Sequence, residues 1–264
     1  MSHFRRVSIR ARSDEAEPLR ARLLDLVPAG FEERDVGDAL ELAAYVPVAQ
    51  VAALVAALPQ AVVSPVADGW EDAWRSFHHP ASAGGLWLGP PWEQPPDPGC
   101  AVVIDPGRAF GTGAHPTTRL CVELLASTTQ RGSLLDIGCG SGVLAIAAAR
   151  LGFAPVVAVD VDPVAVETTL ANARTNGIAL DARVVDAERE ALPGAAVVVA
   201  NVLLRPIEAI LARLDAREAI TSGYLVGERP AHEGWSHLES AALDGWAADR
   251  FVRRRESESG PATV

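Results

Sequence analysis

The stretch SLLDIGCGSGVLAIAAARLGFAPVVAVD, residues 133–160, decides the fold. It opens on a short apolar run that reads as a buried strand, SLLDIG (133–138). A helix follows, GVLAIAAARLG (142–152), ended by a glycine, and then a second buried strand, VVAVD (156–160). Between the first strand and the helix, Gly138, Gly140 and Gly142 form a GxGxG turn. Glycine is needed there because the chain turns sharply and its backbone must approach a ligand with no Cβ in the way. A nicotinamide fingerprint, GxGxxG, would place glycine at position 143, which is Val143. A Walker A loop would carry lysine and then serine or threonine after the last glycine, and neither this turn nor DPGRAFGTGAHPTTR (105–119) does. Neither glycine-rich loop is built for a triphosphate.

The acids around the turn say what it is built for. Asp160 ends the second strand, where a carboxylate accepts both hydrogen bonds of a ribose diol. Asp186 ends a third strand, ARVVD, and is placed to receive an adenine amino group; Asp136 precedes the turn. Together they describe a site for an adenosine ligand without phosphates, of which S-adenosylmethionine is the common one. A nucleotide-dependent dehydrogenase is the competing reading. Asn201 ends a fourth strand, AAVVVAN (195–201), at the sheet edge where ligands bind in doubly wound folds. Its amide oxygen could orient an incoming amine; alternatively it caps the helix starting near Leu203.

Outward from this core the alternation continues. PVAVETTLANARTNG (163–177) is a helix capped by Asp162, with Pro163 in its first turn and Gly177 past its end, and AITSGYLVG is a further strand. The fold class is α/β, a doubly wound, mostly parallel Rossmann-like sheet spanning 109–255, with 256–264 a polar tail. Residues 1–66 read as a ferredoxin-like α+β domain in the order βαββαβ: a strand through Val7 and Ile9, a helix after Ser13 carrying Leu19, Leu23, Leu26 and Val27, strands FEERDV and ALELAAYV, a helix VAQVAALVAAL and a strand AVVSPV. Residues 67–108 hold Trp70, Trp74, Trp87 and Trp92 and many prolines, and read as a linker with its own aromatic packing.

Composition bounds the partners. The 264 residues carry a net charge of −11, which speaks against direct nucleic-acid binding. The basic runs FRR (4–6) and RRR (253–255) are expected to be solvated strand edges. No apolar run reaches membrane-spanning length, and the N-terminus lacks the apolar core of a signal peptide. Three scattered cysteines, Cys100, Cys121 and Cys139, fit a reduced cytoplasmic setting and exclude a disulfide framework or a cysteine zinc site; His78 and His79 have no second ligand pair nearby, so no metal is expected. Nothing in the sequence sets an oligomeric state.

WEDAWRSFHHP, LWLGPPWE, DPGRAFGTGAHPTTRLCVELL, LLDIGCGSGVLAIAAARLG, VDVDPVAVETTLANAR and VVANVLLRPI follow one another in order from about Trp70 to about Gly223. This succession resembles the bacterial ribosomal protein L11 methyltransferase family (PrmA), and FGTGxHPTT is its most specific part. The resemblance implies a small N-terminal domain that recognises the ribosomal protein, a linker, and a class I methyltransferase domain that methylates lysine or N-terminal amines of that large-subunit protein. It also implies that the loop 109–118 closes over S-adenosylmethionine, with Thr118 contacting it and Gly138, Asp160 and Asn201 as the other cofactor positions. Phe110, Thr112 and Gly140 are further candidates, and Asn201 is the expected catalytic residue. The N-terminal domain is short against the family. The closing stretch FVRRRESESGPATV lacks the family's final strand with a tryptophan and a basic end. Two alternatives stand beside this: the same enzyme with another protein or a small molecule as substrate, and a non-catalytic S-adenosylmethionine-binding scaffold.

Overall fold

The computed structural model describes residues 4–12, 19–20, 22–23, 26–27, 31–37, 39–66, 79–105 and 113–254. The chain divides into two units, Met1–Phe77 and His78–Val264.

In the first unit, β1 (Phe4–Arg12), β2 (Glu32–Val36), β3 (Ala39–Pro47), helix α1 (Val48–Ala57) and β4 (Val62–Pro65) follow in sequence. The sheet is antiparallel in the order β2-β3-β1-β4, the order that a βαββαβ chain of ferredoxin-like type produces. Alternation puts Val7 and Ile9 of β1 opposite Ala44 and Leu42 of β3, and all four are buried with Leu23, Val27, Leu54 and Leu58. Of the helix expected after Ser13, the described residues 19, 20, 22, 23 and 26 are helical; Leu26 faces outward, unlike its expected partners. The basic run 4–6 does not lie at a sheet edge. β1 is paired on both sides, and Arg6 donates to Glu41 across the β1–β3 pair at 2.5 Å.

The second unit opens with a three-stranded sheet, β5 (Ala81–Ala83), β6 (Leu86–Gly89) and β7 (Ala101–Val103), in the order β5-β6-β7. Gly84 and Gly85, at φ +56° and +78°, turn the β5–β6 hairpin. The later part of the stretch expected as a linker is thus built into this unit. Its strands are three or four residues long, too short to register as alternation. Trp70, Trp74 and His78 lie outside the described residues.

The main sheet has seven strands: β8 (Leu134–Ile137), β9 (Val156–Asp160), β10 (Asp181–Val184), β11 (Val197–Asn201), β12 (Glu218–Leu225), β13 (Trp235–Leu243) and β14 (Trp246–Arg253). Helix α2 (Pro116–Ser127) precedes β8; α3 (Val143–Arg150), α4 (Pro163–Thr175) and α5 (Leu204–Leu211) follow β8, β9 and β11. The order is β10-β9-β8-β11-β12-β14-β13, parallel from β10 to β12, with β14 antiparallel to both neighbours. The central strands are apolar on both faces. Leu134, Val156, Val197 and Val199 pack with α2 and α3, whereas Leu135, Ile137, Val198 and Ala200 pack with Ile207, Ile210 and Leu211 of α5. After β8 the chain builds outward to β10, then returns to place β11 on the other side of β8. The crevice at the carboxyl ends of β8 and β11 is the topological switch point.

Two expectations about strand ends change. β10 stops at Val184, so Asp186 lies two residues beyond it. The final strand that the stretch 251–264 does not suggest is present earlier: β14 begins at Trp246 and includes Arg250 and Arg253. Asp244 (φ +50°) and Gly245 (φ +82°) form its turn with β13. Nor is Arg253 a free surface charge, since its guanidinium stacks 4.8 Å over the Trp235 ring.

Candidate cofactor and amine site

The glycine turn is tied down by its own backbone and one carboxylate. Gly138 and Cys139 N–H both donate to Val159 O, at 2.9 and 3.1 Å, locking the end of β8 onto β9. Gly138, Gly140 and Gly142 have φ of +72°, +52° and +83°, which only glycine holds without strain. A Cβ on Gly138 would stand 2.4 Å from Val202 Cγ1, the residue that follows Asn201. Asp160 closes the turn from β9: Oδ2 accepts the Gly140 N–H and Oδ1 the Asp162 N–H, both at 3.0 Å. Each oxygen keeps a lone pair for a further donor. As expected, Asp162 caps α4, accepting from Val164 N at 2.8 Å.

Asp136 lies beneath the turn. Its Oδ2 accepts from Ala145 N of α3 at 3.0 Å, its Oδ1 is buried with no hydrogen-bond partner, and the residue is 1 % exposed. Burial pushes its carboxyl up, the Ala145 bond pulls it down and the charge of Asp160 adds a further push; the balance is about 7. Asp186 sits in a turn of its own. Its Oδ1 accepts from Glu188 N at 3.0 Å and its Oδ2 from Arg189 at 3.2 Å, a local pattern that draws aspartate out of strands.

Across the switch point, Asn201 ends β11. It is not the cap of α5: Leu203 holds that position, without a side-chain cap bond. The Asn201 amide instead reaches Thr117, Nδ2 to Oγ1 at 3.1 Å. Thr117 stands in the first turn of α2, whose cap is His115. The Thr117 hydroxyl and amide lie 2.8 and 3.3 Å from His115 Nδ1, and the His115 ring meets Trp246 edge-on, centroids 5.1 Å apart. Burial lowers the His115 imidazole below its ordinary value.

The structure therefore brings Gly138, Gly140, Asp160, Asp136 and Asn201 to one edge of the sheet. Thr118 is in the first turn of α2 but 1 % exposed. Phe110 and Thr112 lie outside the described residues. Sequence reasoning passed over Thr117, the neighbour of the threonine it chose. The signal was the His-Pro-Thr cap itself, which sets the first threonine against its capping histidine in the first turn.

The donor set fits one kind of ligand. An open-sided carboxylate at the end of β9 and a glycine turn with no lysine or arginine between 133 and 142 favour a diol-bearing nucleoside. They disfavour a polyphosphate.

Comparison with known proteins agrees in kind. The family model for ribosomal protein L11 methyltransferase (PrmA) matches residues 27–250. A protein of Yersinia pseudotuberculosis named ribosomal protein L11 methyltransferase is 44 % identical over 160 residues, 59 % of this chain and 54 % of that protein. The protein of the same name from Pectobacterium atrosepticum is 38 % identical over 193 residues, 69 % of this chain and 61 % of that one. The match thus spans little more than half the length of these relatives. The crystal structure of a ribosomal protein L11 methylase from Lactobacillus delbrueckii subsp. bulgaricus superimposes with a TM-score of 0.60 at 26 % identity, covering 67 % of this chain and all of that one.

Proposed function

Because the chain belongs to the ribosomal protein L11 methyltransferase family, we propose that it is an S-adenosylmethionine-dependent N-methyltransferase acting on amino groups of ribosomal protein L11. The observation that carries this is the pairing, at one sheet edge, of the Asp160-bound glycine turn with a side-chain amide, Asn201, whose carbonyl oxygen is not engaged by Thr117. When bound, S-adenosylmethionine supplies an activated methyl: the amine lone pair forms the new N–C bond, the C–S electron pair leaves to sulfur, and the ammonium product gives its proton to water.

In this reading the residues of the chain bind, orient and desolvate. Asp160 takes the ribose diol and Asp186 the adenine amino group, while the turn from Gly138 to Gly142 lets the backbone close on the nucleoside. Thr118, Phe110 and Thr112 complete the cofactor side, and Asp136 supports the turn from below. The acceptor must be a neutral amine. A free lysine, with a pKa of about 10.4, is neutral in only about one molecule in a thousand near pH 7. Removing its ammonium from water lowers that barrier, and the Asn201 oxygen then aligns the lone pair. Asn201 cannot take the proton. His115 does not take it at Nδ1, which Thr117 occupies. A ribosomal substrate accords with action in the cytoplasm, and the net charge of −11 argues against direct nucleic-acid contact.

Calorimetry of the whole chain tests the cofactor side. Saturable S-adenosylmethionine binding, undisturbed by excess ATP or NAD, is expected; preferential binding of either nucleotide overturns the reading. Labelled methyl transfer to a large-subunit ribosomal protein is the matching test of activity.

A further inference from the structure

The amide of an asparagine can sit either way round, and only one way offers an oxygen to an amine. The hydrogen bonds around Asn201 decide which. The Thr117 backbone N–H can only donate, and it points at His115 Nδ1 from 3.3 Å, so that nitrogen carries a lone pair. The Thr117 hydroxyl, 2.8 Å from the same nitrogen, must then be a donor to it. With its proton committed, Thr117 Oγ1 can only accept along its 3.1 Å contact with Asn201, which requires the NH2 end of the amide. The opposite end, Oδ1, is left for another donor. Thr117 is buried at 2 % exposure, whereas Asn201 remains partly open.

We propose that Thr117 and His115 are positioning residues that lock the Asn201 amide in this orientation, so that its carbonyl oxygen accepts from the amine receiving the methyl group. The role rests on the amine-methyltransfer reading above. Its parts come from three places distant in sequence: the cap of α2, the end of β11, and the start of β14, where the Trp246 edge fixes the His115 ring. The lowered imidazole of His115 agrees with the neutral ring that the bond pattern requires.

Thr117→Val keeps the shape and removes the hydroxyl; Thr117→Ser keeps the hydroxyl. In the full chain, Thr117→Val is expected to lower kcat by about 10- to 100-fold, the scale of a misaligned reacting group. The larger loss is expected in kcat, with smaller rises in KM for both substrates and in the calorimetric Kd for S-adenosylmethionine, and Thr117→Ser is expected to recover most of kcat. In the ligand-free protein, the side-chain NH2 resonances of Asn201, assigned by their loss in Asn201→Asp, should shift in Thr117→Val and return in Thr117→Ser. Wild-type kcat in Thr117→Val, a serine variant as poor as valine, or unmoved Asn201 resonances would each overturn the lock. If the wild-type chain methylates no amine, the functional reading fails instead, and the resonances still decide whether Thr117 holds Asn201.

Discussion

The Asp136 carboxyl gives one oxygen to Ala145 N at 3.0 Å and buries the other without a partner. Asp136→Asn keeps an acceptor for Ala145 and removes the possibility of charge. The size of the effect follows from the displaced titration, from an ordinary 3.8 to about 7 in the folded chain. The folded state holds this proton more tightly than the unfolded state, so the group's contribution to stability is complete below about pH 4. It is lost as pH rises, levelling off above about pH 7. Each unit of displacement is worth about 1.4 kcal/mol, which gives about 4 kcal/mol across the window. Against this, asparagine buries an amide N–H2 where the unpartnered oxygen stood, a cost of about 1–3 kcal/mol that does not vary with pH. Urea unfolding of both proteins from about pH 4 to about pH 8 should therefore give crossing curves, the variant weaker in acid and gaining on the wild type by up to about 4 kcal/mol at the alkaline end. Parallel curves would refute the reasoning, because they would mean that the Asp136 carboxyl ionises in the folded chain as it does in the unfolded one.

Other outcomes follow from single contacts. Gly223→Ala places a Cβ 2.0 Å from the carbonyl oxygen of Val202 at φ +108°, so the backbone beside Asn201 must move. A loss of about 3 kcal/mol or more is expected by thermal or urea unfolding. Gly245→Ala, at φ +82° with open space around it, carries only the conformational cost, about 1 kcal/mol, and serves as its control. Asp160→Ala removes the acceptor of both Gly140 N and Asp162 N, and calorimetry should read at least about a tenfold weaker Kd for S-adenosylmethionine. Asp162→Ala removes the α4 cap and should cost about 1 kcal/mol in unfolding free energy while leaving methyl transfer close to wild type.

The parts of the fold that were legible in the sequence are those where one local pattern has one physical solution. The run from Ser133 to Asp160 could only be strand, glycine turn, helix and strand, because three glycines with left-handed backbone are followed by a helix buried along nearly its whole length. Asp162 was readable as a cap for the same reason. The β13–β14 hairpin was harder. Trp235–Leu243 is mostly exposed on an edge strand, so burial does not impose a clean alternation. The Asp244-Gly245 pair, a strong hairpin signal, was the only local mark of it. Asp186 shows a limit of another sort: β propensity carried the ARVVD strand two residues too far because the aspartate prefers its own turn. The link from Thr117 to Asn201 spans 84 residues, and no local pattern encodes it. It appears only once β11 returns beside β8 and brings the end of one strand to the cap of α2.

The central claim is that the crevice between β8 and β11 passes a methyl group to an amine of ribosomal protein L11. Mass spectrometry of that protein after incubation with the chain and S-adenosylmethionine tests it most directly. The account predicts methyl groups on lysine side chains or the N-terminal amine, abolished or strongly reduced by Asn201→Ala with the fold intact. An unmodified L11 protein, or full modification by the Asn201→Ala variant, would contradict it.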